Sequence, residues 1–289
     1  MSTVSNGLVF AGTRGLASRC IVFIIETCGK DLVSAILGPP RNEQTWWSHE
    51  TSEELWQIAD RYGIPYLESM DDVSRYGGFL VSVLWNKIFP AHTLARFDRG
   101  GINLHPAPLP EYRGSFARTH AILNGAESFG VTIHYLAERA DTGDIIGEMR
   151  FPVLPSETAL SLDTRAQLYG YALFCEVWLR LLDGSFVPRS QASLIAEHKR
   201  EPRFYTTRKI AELLESADVP RDAEQLERLY RALYLPPRFT PPKWLVQRVL
   251  ANEVRTILRR SCAPGTALNV AADSQLTPGL PEILLRREP

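Results

Sequence analysis

Apolar and polar positions in the first part of the chain follow two alternating rhythms. Leu8 to Ala11 is an unbroken apolar run that ends in Gly12-Thr13-Arg14-Gly15 and passes into a mixed segment through Ile25, a pattern that predicts strand, glycine turn and helix. The pattern recurs. Asp31 to Leu37 and Phe79 to Leu84 predict further buried strands, and Leu55, Ile58 and Ala59 give Ser52 to Tyr62 helical spacing. Strands that alternate with helices predict an α/β fold with a mainly parallel sheet. Farther on, Ile102 to His105 reads as a strand stopped by Pro106-Ala107-Pro108-Leu109-Pro110, and Gly130 to Leu136 as another before the acidic loop Glu138 to Asp144. Ligands of open α/β sheets sit at the carboxyl ends of strands, so both loops are expected to meet there.

Thr158 precedes a long helical segment through Leu182, with Gly184 placed to end it, and its Leu160, Leu168, Leu173 and Trp178 side is expected to pack on the sheet. A first domain over 1–185 follows. From Phe186 the pattern changes: Thr206 to Glu215 and Asp222 to Tyr234 predict helices, and Pro236-Pro237 and Pro241-Pro242 interrupt what comes next. A smaller C-terminal domain is expected over 186–260. The stretch 261–289, rich in Ala, Pro and Gly, is expected to be a loosely attached tail.

Composition narrows the function classes. Hydrophobic residues at 45% and charged residues at 22% are ordinary for a globular protein. A formal net charge of -1 supplies no global field that would draw in nucleic acid or an acidic membrane surface. From Asp183 to Arg260, however, fifteen Lys or Arg stand against ten Asp or Glu, which suits either a phosphate-bearing substrate or a solvated helical face. The four cysteines form no C-x-x-C pair, so neither a zinc site nor a disulfide framework is expected, and a reducing, cytoplasmic location is the simplest expectation. Neither a secretory leader nor a bilayer-length apolar run is apparent.

Asn103 and His105 are the first candidates for chemistry. Residues two apart on a strand share a face, so an amide donor and an imidazole converge on one small volume, and Pro106 sets them at the strand's mouth. Asp141 lies in the glycine-bearing loop Asp141-Thr142-Gly143-Asp144, where a carboxylate could orient an imidazole. On these grounds alone, buried polar groups satisfied within the core are the commoner outcome. Gly12-Thr13-Arg14-Gly15 lacks the G-x-G-x-x-G spacing of a dinucleotide loop, so NAD is not expected. His134 is expected to be structural, and Trp46-Trp47 with His49 to form an exposed loop cluster.

The wider motifs change those odds. Ile102-Asn-Leu-His-Pro-Ala-Pro-Leu-Pro-Glu-Tyr-Arg-Gly114 resembles the first signature of the folate-dependent formyltransferases, and Gly130-Val-Thr-Ile-His-Tyr through Asp141-Thr-Gly-Asp-Ile-Ile resembles their second. Thirty-six positions separate His105 from Asp141, as in that family. The resemblance covers roughly residues 8 to 185 and implies a Rossmann-like formyltransferase domain. It further implies N10-formyltetrahydrofolate as co-substrate, no metal, and Asn103, His105 and Asp141 as catalytic residues. In this mechanism Asn103 and His105 donate hydrogen bonds to a tetrahedral oxyanion while Asp141 orients His105 and helps remove the amine proton. For the pterin the resemblance implies Trp85, Asn86, Lys87, Ile88 and Phe89 before the Asn strand, and Glu138, Arg139, Ala140 and Asp144 around the Asp loop. The family often has Arg where Lys87 stands. Ile88 and Phe89 would equally serve as core residues.

The acceptor amine is left to the second half. The helical segments after Asp183 and the slightly negative net charge weigh against a methionyl-tRNA formyltransferase, which would carry a basic β-barrel. Arg231-Ala-Leu-Tyr-Leu-Pro-Pro-Arg-Phe239 is similar to an element of sugar N-formyltransferases and implies a nucleotide-linked amino sugar. Another small-molecule amine, a silent folate- or nucleotide-sensing module and a homodimer all stay open, whereas a nucleic-acid or membrane partner is not expected.

Overall fold

A computed structural model describes residues 7–43, 45, 47, 53–215, 222–238 and 240–261. The elements run β1 (Leu8–Gly12), α1 (Arg14–Cys28), β2 (Val33–Leu37), α2 (Leu55–Tyr62), β3 (Tyr66–Leu67), α3 (Met70–Val73), β4 (Phe79–Val83), α4 (Ala91–Leu94) and β5 (Gly101–His105). They continue with β6 (Arg113–Gly114), α5 (Ala117–Leu123), β7 (Ser128–Tyr135), β8 (Ile145–Pro152) and α6 (Ala159–Asp183). Then follow α7 (Gln191–His198), β9 (Phe204–Tyr205), α8 (Thr207–Glu215), α9 (Ala223–Leu233) and α10 (Lys243–Ser261).

Seven strands form one sheet in the order β3-β2-β1-β4-β5-β7-β8. The first five are parallel; β7 runs antiparallel to β5, and β8 antiparallel to β7. The fold is therefore α/β with a mainly parallel sheet. Apolar runs such as Leu8 to Ala11 are unbroken because both sheet faces are covered: Leu8 and Phe10 enter the larger core, Val9 and Ala11 the smaller one. Each fully buried Leu, Ile or Phe contributes about 1.5–3 kcal/mol relative to exposure.

The expected strand Gly130 to Leu136 is present as the longer β7, but β8 has no counterpart in the apolar pattern. Its residues Ile-Ile-Gly-Glu-Met-Arg-Phe-Pro do not alternate cleanly, and only Ile145, Ile146 and Phe151 are buried. It forms because β7 offers an unpaired edge, and its presence makes the Asp141 loop the connection of a β7–β8 hairpin.

The long helix α6 is capped by Thr158, whose hydroxyl accepts from Ser161 N, and ends at Gly184 with φ 73°. Leu162, Ala166, Gly170, Leu173 and Val177 recur every three or four residues on its buried face. Leu173 and Trp178 pack inward as expected, and Leu160 is half-buried. Leu168 does not: it is 57% exposed, because five residues separate it from Leu173, about 140° around the helix.

Beyond α6, the expected helices over Thr206 to Glu215 and Asp222 to Tyr234 correspond to α8 and α9, with Asp222 capping α9 through Gln225 N. Leu226, Leu229 and Leu233 of α9 pack with Phe116, Ile210, Leu245 and Val249, while Ala232 and Leu235 reach the larger core. The stretch expected to be a tail lies outside the described residues except for its first position.

Candidate active site

Sheet register assembles the polar centre. Ser82 of β4 pairs with Asn103 of β5, and Asn103 with His134 of β7, so three polar side chains lie in one row across three strands. Ser82 Oγ donates to Asn103 Oδ1 at 2.8 Å, and Asn103 Nδ2 lies 3.1 Å from His134 Nε2. His134 Nδ1 donates to the carbonyl of Tyr135 at 2.8 Å, which leaves Nε2 as the acceptor for Asn103 when the ring is neutral. One of the two Asn103 N–H bonds is so engaged, and among the described residues no partner takes the other. Ile102 and Leu104, pointing the opposite way, anchor the strand in the larger core.

His105 stands two residues along on the same face and is 6% exposed. Its Nε2 donates to the carbonyl of Tyr112 at 2.8 Å, and its Nδ1 faces Asp141 Oδ1 at 3.6 Å. The same carboxylate oxygen lies 3.6 Å from His134 Nε2, while Oδ2 accepts the backbone N–H of Gly114 at 2.8 Å. Asp141 thus sits between two imidazoles. Burial pushes its carboxyl up, but the charge of His105, the hydrogen bond and charge of His134 and the Gly114 N–H outweigh burial and hold it well below the usual carboxylate range.

Asp141 takes φ 58°, a left-handed conformation that costs a non-glycine residue about 1–2 kcal/mol. Two residues on, Gly143 passes so close to the β7 strand end that a Cβ there would stand 1.9 Å from the Tyr135 carbonyl oxygen. The turn is compensated from elsewhere: Gln191, at the start of α7, donates to the carbonyls of Asp141 at 3.0 Å and Gly143 at 2.8 Å.

These groups open into a cavity of about 360 Å³ at the carboxyl ends of β1, β4 and β5, where the sheet topology places a ligand. Asn103, His105 and Asp141 line it, as do Trp85, Asn86, Lys87, Ile88, Phe89 and Ala140. Trp85 stacks on Phe89 with ring centroids 6.3 Å apart, and Lys87 Nζ lies 5.9 Å from the Trp85 ring. Phe89 is buried, but Ile88 is 66% exposed and so belongs to the cavity mouth rather than to the core. Glu138, Arg139 and Asp144 are exposed on the Asp141 loop and lie outside the lining.

Two expectations change here. Trp47 is not part of an exposed cluster: it is 8% exposed and lines the cavity, since an indole gains more from burial against a wall than from solvent. Trp46 and His49 lie outside the described residues. His134 is buried as a structural histidine should be, yet it touches both Asn103 and Asp141.

Across the cavity stand Arg14, Arg118 and Arg238. Arg14 grips Asp163 of α6 with both terminal nitrogens, at 3.2 and 2.6 Å, and Arg118 Nη1 shares that carboxylate at 3.0 Å. Arg238 lies over the Phe116 ring, 4.6 Å from its centroid.

Residues 68–178 match the model of the formyl transferase family. Over that stretch the chain resembles that family. The match spans α3 through most of α6, and so contains the Asn103, His105 and Asp141 set, both imidazoles and the β7–β8 hairpin. Among curated relatives, the methionyl-tRNA formyltransferase of Bacillus licheniformis is 28% identical over 220 residues, covering 72% of this chain and 69% of the relative. That of Treponema denticola is 45% identical over 170 residues, so this chain spans about half its length, 52%, from 54% of its own. Among solved structures, the N-formyltransferase from Helicobacter canadensis in complex with folinic acid and dTDP-3-aminofucose superimposes with a TM-score of 0.69. That likeness covers 82% of this chain and 84% of the other at 21% identity, and shows a shared fold.

Ser82, Arg118 and Gln191 escaped the sequence-based assignment. Ser82 and Gln191 had no signal, because cross-strand register and a contact fifty residues away in the chain are invisible to local periodicity. Arg118 had a weak one, standing four residues past the Arg-Gly of the first formyltransferase signature.

Proposed function

We propose that the chain transfers a formyl group from N10-formyltetrahydrofolate to the amine of a nucleotide-linked amino sugar. The observation that carries the transfer is the convergence of an amide with a spare N–H, an imidazole and a carboxylate at one end of a cavity: Asn103, His105 and Asp141. The amine nitrogen attacks the formyl carbon, and the carbonyl oxygen becomes an oxyanion that the spare Asn103 N–H stabilises. The amine must then lose a proton and folate N10 must gain one. His105 Nδ1 handles that proton, with Asp141 as counter-charge, because Nε2 is committed to Tyr112. The bond from the formyl carbon to N10 breaks as the oxyanion collapses, releasing tetrahydrofolate and the formamide. Trp85, Phe89 and Ile88 supply apolar walls for the pterin, and Ala140 its other edge.

Support for a phosphate-bearing acceptor comes from the cavity's charge. Arg14, Lys87, Arg118 and Arg238 line it against Asp141 among the described residues, and the one carboxylate of Asp163 behind the wall is shared by two of these four cations, so the lining stays positive even though the whole chain is nearly neutral. The Helicobacter canadensis structure, with its dTDP-amino sugar, supports the same choice. A second reading, methionyl-tRNA as acceptor, is favoured by the curated relatives. Against it stands the region after Asp183, whose regular elements among the described residues are helices apart from the two-residue β9 and form no β-barrel.

Incubation with N10-formyltetrahydrofolate and a panel of nucleotide-linked amino sugars, beside methionyl-tRNA, tests both levels. Formylated sugar with release of tetrahydrofolate is the expected result. Product with methionyl-tRNA alone rejects the sugar acceptor, and no product with any amine rejects the transfer.

A further inference from the structure

Gln191 is 3% exposed, and its four side-chain hydrogen bonds among the described residues all belong to the surroundings of Asp141. We infer that Gln191 is a positioning residue for the proposed formyl transfer: its side-chain amide locks the left-handed turn that aims the Asp141 carboxylate at His105. This rests on the formyl-transfer reading above.

The carbonyls of Asp141 and Gly143 converge on the one side-chain nitrogen of Gln191. Left without donors in a half-buried loop, both would be unsatisfied acceptors, and the turn would relax to find water. A glutamine amide carries two N–H bonds on one nitrogen, and Nε2 of Gln191 meets both carbonyls, at 3.0 and 2.8 Å.

The amide cannot swing away, because its Oε1 accepts from Arg113 Nε at 3.2 Å and from Arg113 Nη2 at 2.6 Å. Arg113 in turn precedes Gly114, whose backbone N–H holds Asp141 Oδ2. The circuit is closed: Gln191 fixes the main chain of Asp141, Gly114 fixes its side chain, and Arg113 joins the two. Gln191 is delivered by a β-bridge between Arg189 and Ile145, with two backbone hydrogen bonds of 2.8 Å, and by the Ser190 cap of α7. The segment after Asp183 therefore builds part of the proposed catalytic loop.

Gln191→Met keeps the side chain's length and removes its donors. Two measurements on the full chain separate positioning from general stability: the split between kcat and KM for formyl-folate, and the titration of the Asp141 carboxyl followed by carbon NMR without substrate. The expected result is a kcat lowered about 10- to 100-fold, the scale of a misplacement near 1 Å, with KM changed less than about threefold and Asp141 titrating closer to an ordinary carboxylate. Arg113→Met leaves both carbonyl contacts but frees the amide, and is expected to move the same readouts in the same direction by a smaller factor, which keeps the test open if Gln191→Met fails to fold. An unchanged Asp141 titration with kcat within about threefold of the parent in a folded Gln191→Met variant overturns the inference. The titration needs no turnover, so a chain that formylates nothing defeats the transfer reading while leaving the role of Gln191 decidable.

Discussion

Asn103 and His105 stand on a strand, whereas Asp141 stands in a hairpin loop, and the two regions obtain the same precision by different means. On β5 the pleat itself puts both side chains on one face, Ile102 and Leu104 pin the opposite face in the core, and neighbouring strands supply Ser82 and His134 in register. In the loop, nothing local aims Asp141. Its left-handed backbone, the close pass of Gly143 over Tyr135, and the hydrogen bonds from Gly114 and Gln191 all depend on chain segments far away in sequence. A strand-borne group is oriented by secondary structure; a loop-borne group is oriented by whatever the tertiary fold brings to it.

That contrast can be broken most severely at the loop. Asp141→Asn keeps the shape and removes the charge, and kcat is expected to fall by about 10³- to 10⁴-fold, the scale seen when an imidazole loses its carboxylate partner. A loss below tenfold in steady-state kinetics would show that the charge is dispensable. The same variant carries a stability signature. The folded carboxyl lies below its unfolded value near 3.8, so its contribution is fully present above that pH and is lost as pH falls through the lowered folded value. The difference in Tm between the parent and Asp141→Asn should therefore be constant near neutrality and shrink progressively below about pH 4. A difference that grows in acid has the wrong sign.

On the strand, Asn103→Ala removes the proposed oxyanion donor, and kcat is expected to fall by about 10²- to 10³-fold with the sheet intact. Retained thermal stability with lost turnover is the outcome that separates a chemical role from a core-satisfying one. The smallest effect is expected at Ser82→Ala. That change frees Asn103 Oδ1 but leaves the amide held by β5 and His134, so kcat should drop less than about tenfold, in line with the net worth of one neutral hydrogen bond. A loss as large as that of Asn103→Ala would mean that strand geometry alone does not orient the amide.

The same division governs how much could be read from the chain. The parallel strands β1, β2, β4 and β5 and the helices α2, α6, α8 and α9 were legible because their apolar residues recur at the period of one secondary structure, whereas the two-residue parallel strand β3 is too short to show one. Leu168 misled because it joins a helical list by composition while sitting on the wrong side of α6. β8 was illegible because a strand recruited by an exposed edge need not alternate. Trp47 turned inward for a reason no local pattern holds, namely a cavity wall built by β1, β4 and β5.

By itself the sequence determined the α/β architecture, the Asn103 and His105 pair and, through two signatures, the link to Asp141. Those features are local or fixed by spacing, and periodicity or motif carries them. Only the tertiary structure decided that Ser82 and His134 share the Asn103 row, that Arg14 and Arg118 divide one buried carboxylate, and that Gln191 reaches back to close the Asp141 turn. The physical reason is the same in each case: hydrogen bonds and ion pairs reach about 3 Å in space, whatever the separation along the chain.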